Sequence, residues 1–287
     1  MIETRETHRC HDGVLGFYAH DSVQTGTRMR FGVFVPERAS AAQPLPALYC
    51  LAGLTCTEET FLIKSGAVRA AARLGLVLVA CDTSPRGLGL PGEAEHWDFG
   101  VGAGFYLDAT QPPWAEHYRM GSYVDDELPA LIEQHFPVRP GVRGILGHSM
   151  GGHGALVLAQ RDPSRWHSVS AFAPITHPSS VPWGEKAFSR YLGDDRSRWA
   201  DWDASALMRR QPYPGPVLVH QGLDDQFLDS QLRPQELEAA AAASGQALTL
   251  ERCAGYDHSY WFIQTYVEQH LEHHARELAA RSASLAA

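Results

Sequence analysis

The sequence predicts an α/β fold, with a mostly parallel central sheet and helices on both faces. Three observations predict it. Short apolar or β-branched runs alternate with helical stretches along the chain. Several of those runs are apolar throughout, as strands buried on both faces are. One of them runs directly into a glycine-rich serine turn that opens a helix.

Met29 to Pro36 (MRFGVFVP) alternates and reads as an early strand. Pro46 to Ala52 (PALYCLA) reads as a buried strand, followed by the turn Gly53-Leu54-Thr55. Ala67 to Leu74 is helical in pattern, and Leu76 to Cys81 is another buried strand. The stretch from Thr83 to Met120 is rich in Gly, Pro and aromatics; long ordered loops of that kind are usually functional. Asp125 to Phe136 is amphipathic, with acidic residues in its first turn where the helix dipole favours them. A strand at Val142 to Leu146 leads into a small-residue helix from Met150 to Gln160. Val169 to Phe172 and Pro216 to His220 are further strands, separated by an insertion carrying Trp183, Trp199 and Trp202. Glu236 to Ala243 reads as a helix, Ala247 to Arg252 as a strand and Tyr260 to Leu278 as the last helix, with Arg281 to Ala287 expected to fray. Without an internal repeat or a low-complexity linker, residues 1–287 read as a single domain.

Composition narrows the function. At 287 residues and 44% hydrophobic, the chain can bury a large core. A net charge of −9 argues against a nucleic-acid footprint, and no run of eighteen apolar residues suggests a membrane span. The opening MIETRETHRC lacks the apolar stretch of a secretory signal, and five irregularly spaced cysteines do not suggest a disulfide framework, so a reducing cytoplasm is expected.

The sharpest chemical signal is Gly147-His148-Ser149-Met150-Gly151, a G-x-S-x-G pentapeptide between a strand and a helix. In that context it is the nucleophile elbow of the α/β-hydrolase fold, a strained turn that pushes the serine hydroxyl into the open. Serine is too weak an acid to attack unaided, so a histidine and an orienting carboxylate must follow in the chain. Of eight downstream histidines, His258 stands in a glycine-bearing loop between the last strand and the last helix, where the base belongs. His270, His273 and His274 read as a solvated helix face that could also bind a metal adventitiously, and His153 reads as a packing residue. The acid should follow PVLVHQG, where Asp224 and Asp225 both stand; position alone leaves them tied. The oxyanion hole needs two backbone N–H groups, expected at Met150 and Leu54.

Around these residues the sequence resembles the S-formylglutathione hydrolase, or esterase D, family. The matching stretches are LAGLTCTEETFLIKSGA (51–67), HWDFGVGAGFYLDAT (96–110), YRMGSYVDDELPALI (118–132), GHSMGGHGAL (147–156), PWGEKAFSRYLG (182–193), GLDDQFL (222–228) and GYDHSYWFI (255–263). The resemblance implies Asp225 as the acid and hydrolysis of S-formylglutathione to glutathione and formate, the last step of glutathione-dependent formaldehyde oxidation. It also implies side activity on short-chain esters, a homodimer and no cofactor. One segment departs from the family: Ala173 to Val181 lacks the usual Asn-Pro start and the Cys before Pro-Trp.

The chemistry is coherent with that resemblance. A thioester carbonyl lacks strong resonance, so a triad and an oxyanion hole suffice without a metal. A formyl group needs a tight pocket, for which Trp97 and Phe105 are candidates, and the glutathione carboxylates would suit Lys64, Arg119 or Lys186. Cys56 reads as a site-lining thiol, since it lacks the elbow that a nucleophile needs. Two rival readings are a carboxylesterase acting on acylated sugars and a non-catalytic binding protein on the same fold.

Overall fold

The computed structural model describes the backbone of residues 1–286 and the side chains of residues 1–282. The chain enters the sheet through an antiparallel ribbon. β1 (Glu3–Arg9) pairs with β2 (Gly13–Asp21), and β2 pairs with β3 (Arg28–Pro36). Patterning points to β3 but misses the first two strands. β1 reads ETRETHR, is exposed at every position and carries a register shift between Thr4 and Glu6; main-chain pairing to β2, not burial, holds it.

The parallel part follows: β4 (Leu45–Leu51), β5 (Val77–Cys81), β6 (Val138–His148), β7 (Val169–Phe172), β8 (Val217–Gly222) and β9 (Leu248–Cys253). The nine strands lie in the order β1-β2-β3-β5-β4-β6-β7-β8-β9, antiparallel as far as the β3–β5 pair and parallel beyond it. β5 and β7 are buried at every position, as strands covered on both faces must be. The parallel strands end at one rim of the sheet, which is where open α/β sheets place their sites.

The connecting helices are α1 (Glu58–Lys64), α2 (Ala67–Leu74), α3 (Met120–Ser122), α4 (Leu128–His135), α5 (Met150–Arg161), α6 (Pro182–Tyr191), α7 (Arg196–Trp199), α8 (Ala204–Arg210), α9 (Pro234–Ser244) and α10 (Tyr260–Ala286). α6, α7 and α8 form the tryptophan-bearing insertion. Helical backbone begins five residues before the expected Asp125, because α3 runs through a wide turn at Tyr123–Glu127 into α4. The acidic residues there anchor other segments instead of serving only the helix dipole. Asp125 accepts a hydrogen bond from Trp166 Nε1 at 2.7 Å, and Glu127 accepts from the Ser22 hydroxyl at 2.7 Å. Burial lifts the Asp125 carboxyl to about 6.

α10 continues past Leu278 to Ala286, across most of the segment expected to fray. No glycine or proline stands there to stop it, and Ala, Arg and Leu favour helix. Ala287 lies outside the described residues. All five cysteines are free thiols. Among the described residues no helix is long and apolar enough to cross a membrane.

Candidate active site

β6 ends at His148, and Ser149 turns the chain into α5 with φ 58° and ψ −118°. A positive φ is rare for a side-chain-bearing residue and marks stored strain. The turn forces glycine on both sides. A Cβ on Gly147 would lie 1.9 Å from the Gly151 carbonyl oxygen, and one on Gly151 would lie 2.1 Å from the Leu51 carbonyl oxygen. Thus the pentapeptide's glycines are set by two close crossings, of the turn with itself and with the end of β4. The elbow is pinned by the Ser149 N–H, which donates to the Phe172 carbonyl at 2.9 Å.

The loops after β8 and β9 bring Asp225 and His258 together. His258 Nδ1 lies 2.6 Å from Asp225 Oδ2. The carboxylate is itself fixed, since Oδ1 accepts the Phe227 N–H at 2.8 Å and Oδ2 faces Gln221 Nε2 at 3.4 Å. A carboxylate on Nδ1 holds the imidazole proton there and leaves Nε2 as the free lone pair. Asp224 points away: it is exposed, and its N–H donates to the Tyr256 carbonyl at 2.9 Å. Of the two neighbours, Asp225 is the one whose carboxylate meets His258. The loops cross closely enough that a Cβ on Gly222 would sit 2.4 Å from the Tyr256 carbonyl oxygen.

Ser149 and His258 line one cavity of about 120 Å³. Gly53, Leu54 and Cys56 form one side of it, and Trp97, Trp183 and Phe227 form an aromatic wall. Trp97 stands edge-on to Trp183 at 5.4 Å, Trp183 meets Phe227 at 4.7 Å, and Phe227 meets the His258 ring at 5.1 Å. His148 completes the lining, its ring 4.6 Å from that of His258. Burial and the neighbouring His258 hold His148 well below the usual imidazole range, so it stays neutral. Burial likewise raises the Cys56 thiol, which disfavours the thiolate a nucleophilic cysteine requires.

The Esterase family matches residues 22–277 of this chain. The S-formylglutathione hydrolase of Rattus norvegicus is 48% identical over 278 residues, which cover 96% of this chain and 98% of that protein. The Mus musculus S-formylglutathione hydrolase is 49% identical over the same shares. The S-formylglutathione hydrolase structure from Agrobacterium tumefaciens superposes with a TM-score of 0.93 at 46% identity, covering 96% of this chain and 99% of that one. The chain belongs to the S-formylglutathione hydrolase family. It is a hydrolase on the α/β-hydrolase fold.

In this member of the S-formylglutathione hydrolase family, several expected substrate contacts stand elsewhere. Phe105 is fully buried outside the cavity, its ring 6.3 Å from His153 and 6.2 Å from Phe188. Lys64 and Arg119 are exposed and do not line the cavity. Lys186 is committed to Asp98, with Nζ 2.8 Å from each carboxylate oxygen. Trp97 and Cys56 do line the cavity. Trp183, Phe227 and His148 join the lining without a sequence signal of their own, although the first two stand inside PWGEKAF and DDQFL and the third is the second letter of the pentapeptide.

The terminal-helix histidines are not a solvated face. His270, His273 and His274 are buried against β7. His274 bonds the Ser168 hydroxyl at 2.6 Å and the Ser170 hydroxyl at 2.8 Å. His270 bonds Ser170 at 2.8 Å and His220 Nδ1 at 2.9 Å, and His273 Nε2 reaches the Val169 carbonyl at 3.2 Å. Among the described residues no group of His, Cys, Asp and Glu is disposed to hold a metal ion. His153 is buried as expected, and burial lowers it to about 4.

Proposed function

We propose that this chain hydrolyses S-formylglutathione to glutathione and formate through a formyl-enzyme on Ser149. The observation that carries the reading is the 2.6 Å pair of His258 Nδ1 and Asp225 Oδ2 opening on the cavity that holds the strained Ser149. His258 Nε2 takes the Ser149 proton as Oγ attacks the formyl carbon. The carbonyl oxygen gains negative charge and accepts hydrogen bonds donated by the N–H groups of Leu54 and Met150. Met150 is the first residue of α5, and helix first-turn N–H groups lack intrahelical acceptors. The C–S bond then breaks as His258 gives that proton to the departing sulfur, so that glutathione leaves as the thiol and the imidazole is a base again. Water, deprotonated by His258, attacks the formyl ester, formate leaves, and Ser149 regains its proton. The Asp225 carboxylate, hydrogen-bonded to Nδ1, stabilises the imidazolium. A cavity of about 120 Å³ behind an aromatic wall favours a small acyl group. The family likeness supports a cytoplasmic homodimer acting after glutathione-dependent formaldehyde oxidation.

One observation favours a second reading. None of Lys64, Arg119 and Lys186 lines the cavity, so no cation among them greets the glutathione carboxylates there. A general short-chain carboxylesterase would need none. The deciding measurement is kcat/KM for S-formylglutathione beside S-acetylglutathione, S-lactoylglutathione and p-nitrophenyl acetate, with Ser149→Ala as control. A strong preference for the formyl thioester, lost in Ser149→Ala, is expected. Equal or faster turnover of the simple ester moves the function to general esterase.

A further inference from the structure

We propose that the segment following β5 clamps the oxyanion turn, and that Arg86 is the positioning residue of that clamp. After β4 the chain makes a turn from Gly53 to Cys56, closed by the Cys56 N–H donating to the Gly53 carbonyl at 3.3 Å. Leu54 and Thr55 are its central residues, and Thr55 sits at φ 67°. A positive φ at the third position of a turn suits glycine and disfavours a β-branched residue. This turn therefore needs support from outside to keep its shape.

The support comes from residues 83 to 102. Both Thr83 and Arg86 donate to the one Cys56 carbonyl, from Oγ1 at 2.6 Å and Nη2 at 3.1 Å. The Thr55 N–H donates to the Gly102 carbonyl at 2.9 Å. Gly102 has to be glycine, because its Cβ would stand 3.0 Å from Thr55 Cα at φ 76°. Arg86 is aimed by the buried Asp82 at the end of β5, with Nε 2.7 Å from Oδ2 and Nη2 2.8 Å from Oδ1. The same Oδ1 accepts the Thr83 N–H at 2.8 Å, so one carboxylate orients both donors.

Arg30 supplies an internal contrast. Its Nη2 binds Asp82 Oδ2 at 3.1 Å and its Nε lies 3.4 Å from Glu58, but among the described residues it makes no bond to the turn. Loss of Arg30 removes charge from the network and leaves the Cys56 carbonyl held.

An oxyanion donor works only when its N–H stands about 2.7–3.1 Å from where the oxyanion forms. Arg86 acts on that distance through the Cys56 carbonyl and the Leu54 peptide. The inference rests on Leu54 as an oxyanion donor, the role given to it in the mechanism above. An interaction felt in the transition state alone lowers kcat and spares KM.

The test uses p-nitrophenyl acetate, so that it does not depend on which thioester is the substrate. Arg86→Met should lower kcat about 10–100-fold with KM within about threefold, less than outright removal of a donor costs. Affinity for a trifluoromethyl ketone, which forms the tetrahedral oxyanion on serine, should fall by the same factor. Arg86→Lys should recover part of the loss, and Arg30→Met should stay within about twofold on both readouts. Thr83→Val, which removes the other bond to the same carbonyl, should move both readouts in the same direction and keeps the test decisive where Arg86→Met does not fold. A folded Arg86→Met with wild-type kcat overturns the proposal. So does a loss that falls on KM alone, or an Arg30→Met as impaired as Arg86→Met. A wild type that cleaves the simple ester but not S-formylglutathione would sink the substrate reading while the clamp is still decided by Arg86→Met.

Discussion

His258 and the His270–His274 set are buried or half-buried histidines of one molecule, yet their ring nitrogens meet different partners. His258 has a carboxylate on Nδ1 and a cavity before it. His270 and His274 have serine hydroxyls and, for His270, a second imidazole. A hydroxyl satisfies a ring nitrogen without compensating a full positive charge, whereas an ionised carboxylate does compensate it. Burial accordingly holds His270 and His274 well below the usual imidazole range. In the proposed mechanism the first ring takes up and releases a proton in each turnover. The others stay neutral and pin α10 to β7.

The comparison is most exposed at the catalytic side. His258→Ala and Ser149→Ala should each lower kcat about 10⁴-fold or more for ester and thioester alike, with unchanged melting temperature. A His258→Ala enzyme retaining a tenth of wild-type turnover would erase the distinction between the two histidine groups. Next comes the carboxylate. Asp225→Asn should cost about 10³–10⁴-fold in kcat, while Asp224→Asn stays within about twofold, measured side by side in steady state. Equal losses at both positions would mean that the Nδ1 contact does not matter.

On the other side the expected effect is on stability. His274→Leu strands the Ser168 hydroxyl, leaves Ser170 with His270 alone and should cost about 1–3 kcal/mol in denaturant unfolding, with kcat/KM of the folded enzyme within about threefold. Because the folded-state pKa values of His270 and His274 are depressed, the unfolded chain binds protons that the native state does not. Their contribution is therefore intact above pH 6.5 and is lost as pH falls below it, at about 1.4 kcal/mol per pH unit per histidine. His274→Leu should flatten that acid slope; an unchanged slope would assign it to other groups. The smallest effect is at Cys56. Cys56→Ser should keep most activity while removing inhibition by thiol reagents, and inactivation by the substitution itself would give the thiol a role in the chemistry.

What the sequence reveals follows from where its physics is local. The apolar runs that became β4 to β8 are legible because strands buried on both faces tolerate little else. The glycines at 147 and 151 are legible because the elbow admits no Cβ. The Asp224/Asp225 choice is not local: it depends on which neighbour the β8 loop turns toward a ring 33 residues later. The terminal histidines show the same limit. Spacing puts His270 and His274 on one helix face, but only their bonds to Ser168, just before β7, and Ser170, within it, say that this face is buried. Residue type alone points to Phe105, Lys64, Arg119 and Lys186; Phe105 and Arg119 stand in irregular chain, and for Lys64 on α1 and Lys186 on α6 the helix period does not say which face meets the cavity. β1 escaped because charged strands carry no hydrophobic signature.

That charged first strand has a consequence for the molecule among its neighbours in solution. An edge strand offers unpaired N–H and C=O groups along its outer side, a template on which another chain can aggregate. β1 meets that hazard with Glu3, Arg5, Glu6, His8 and Arg9 all exposed, and with a register shift between Thr4 and Glu6 that interrupts its ladder. Removing those charges would turn a guarded rim into a sticky one.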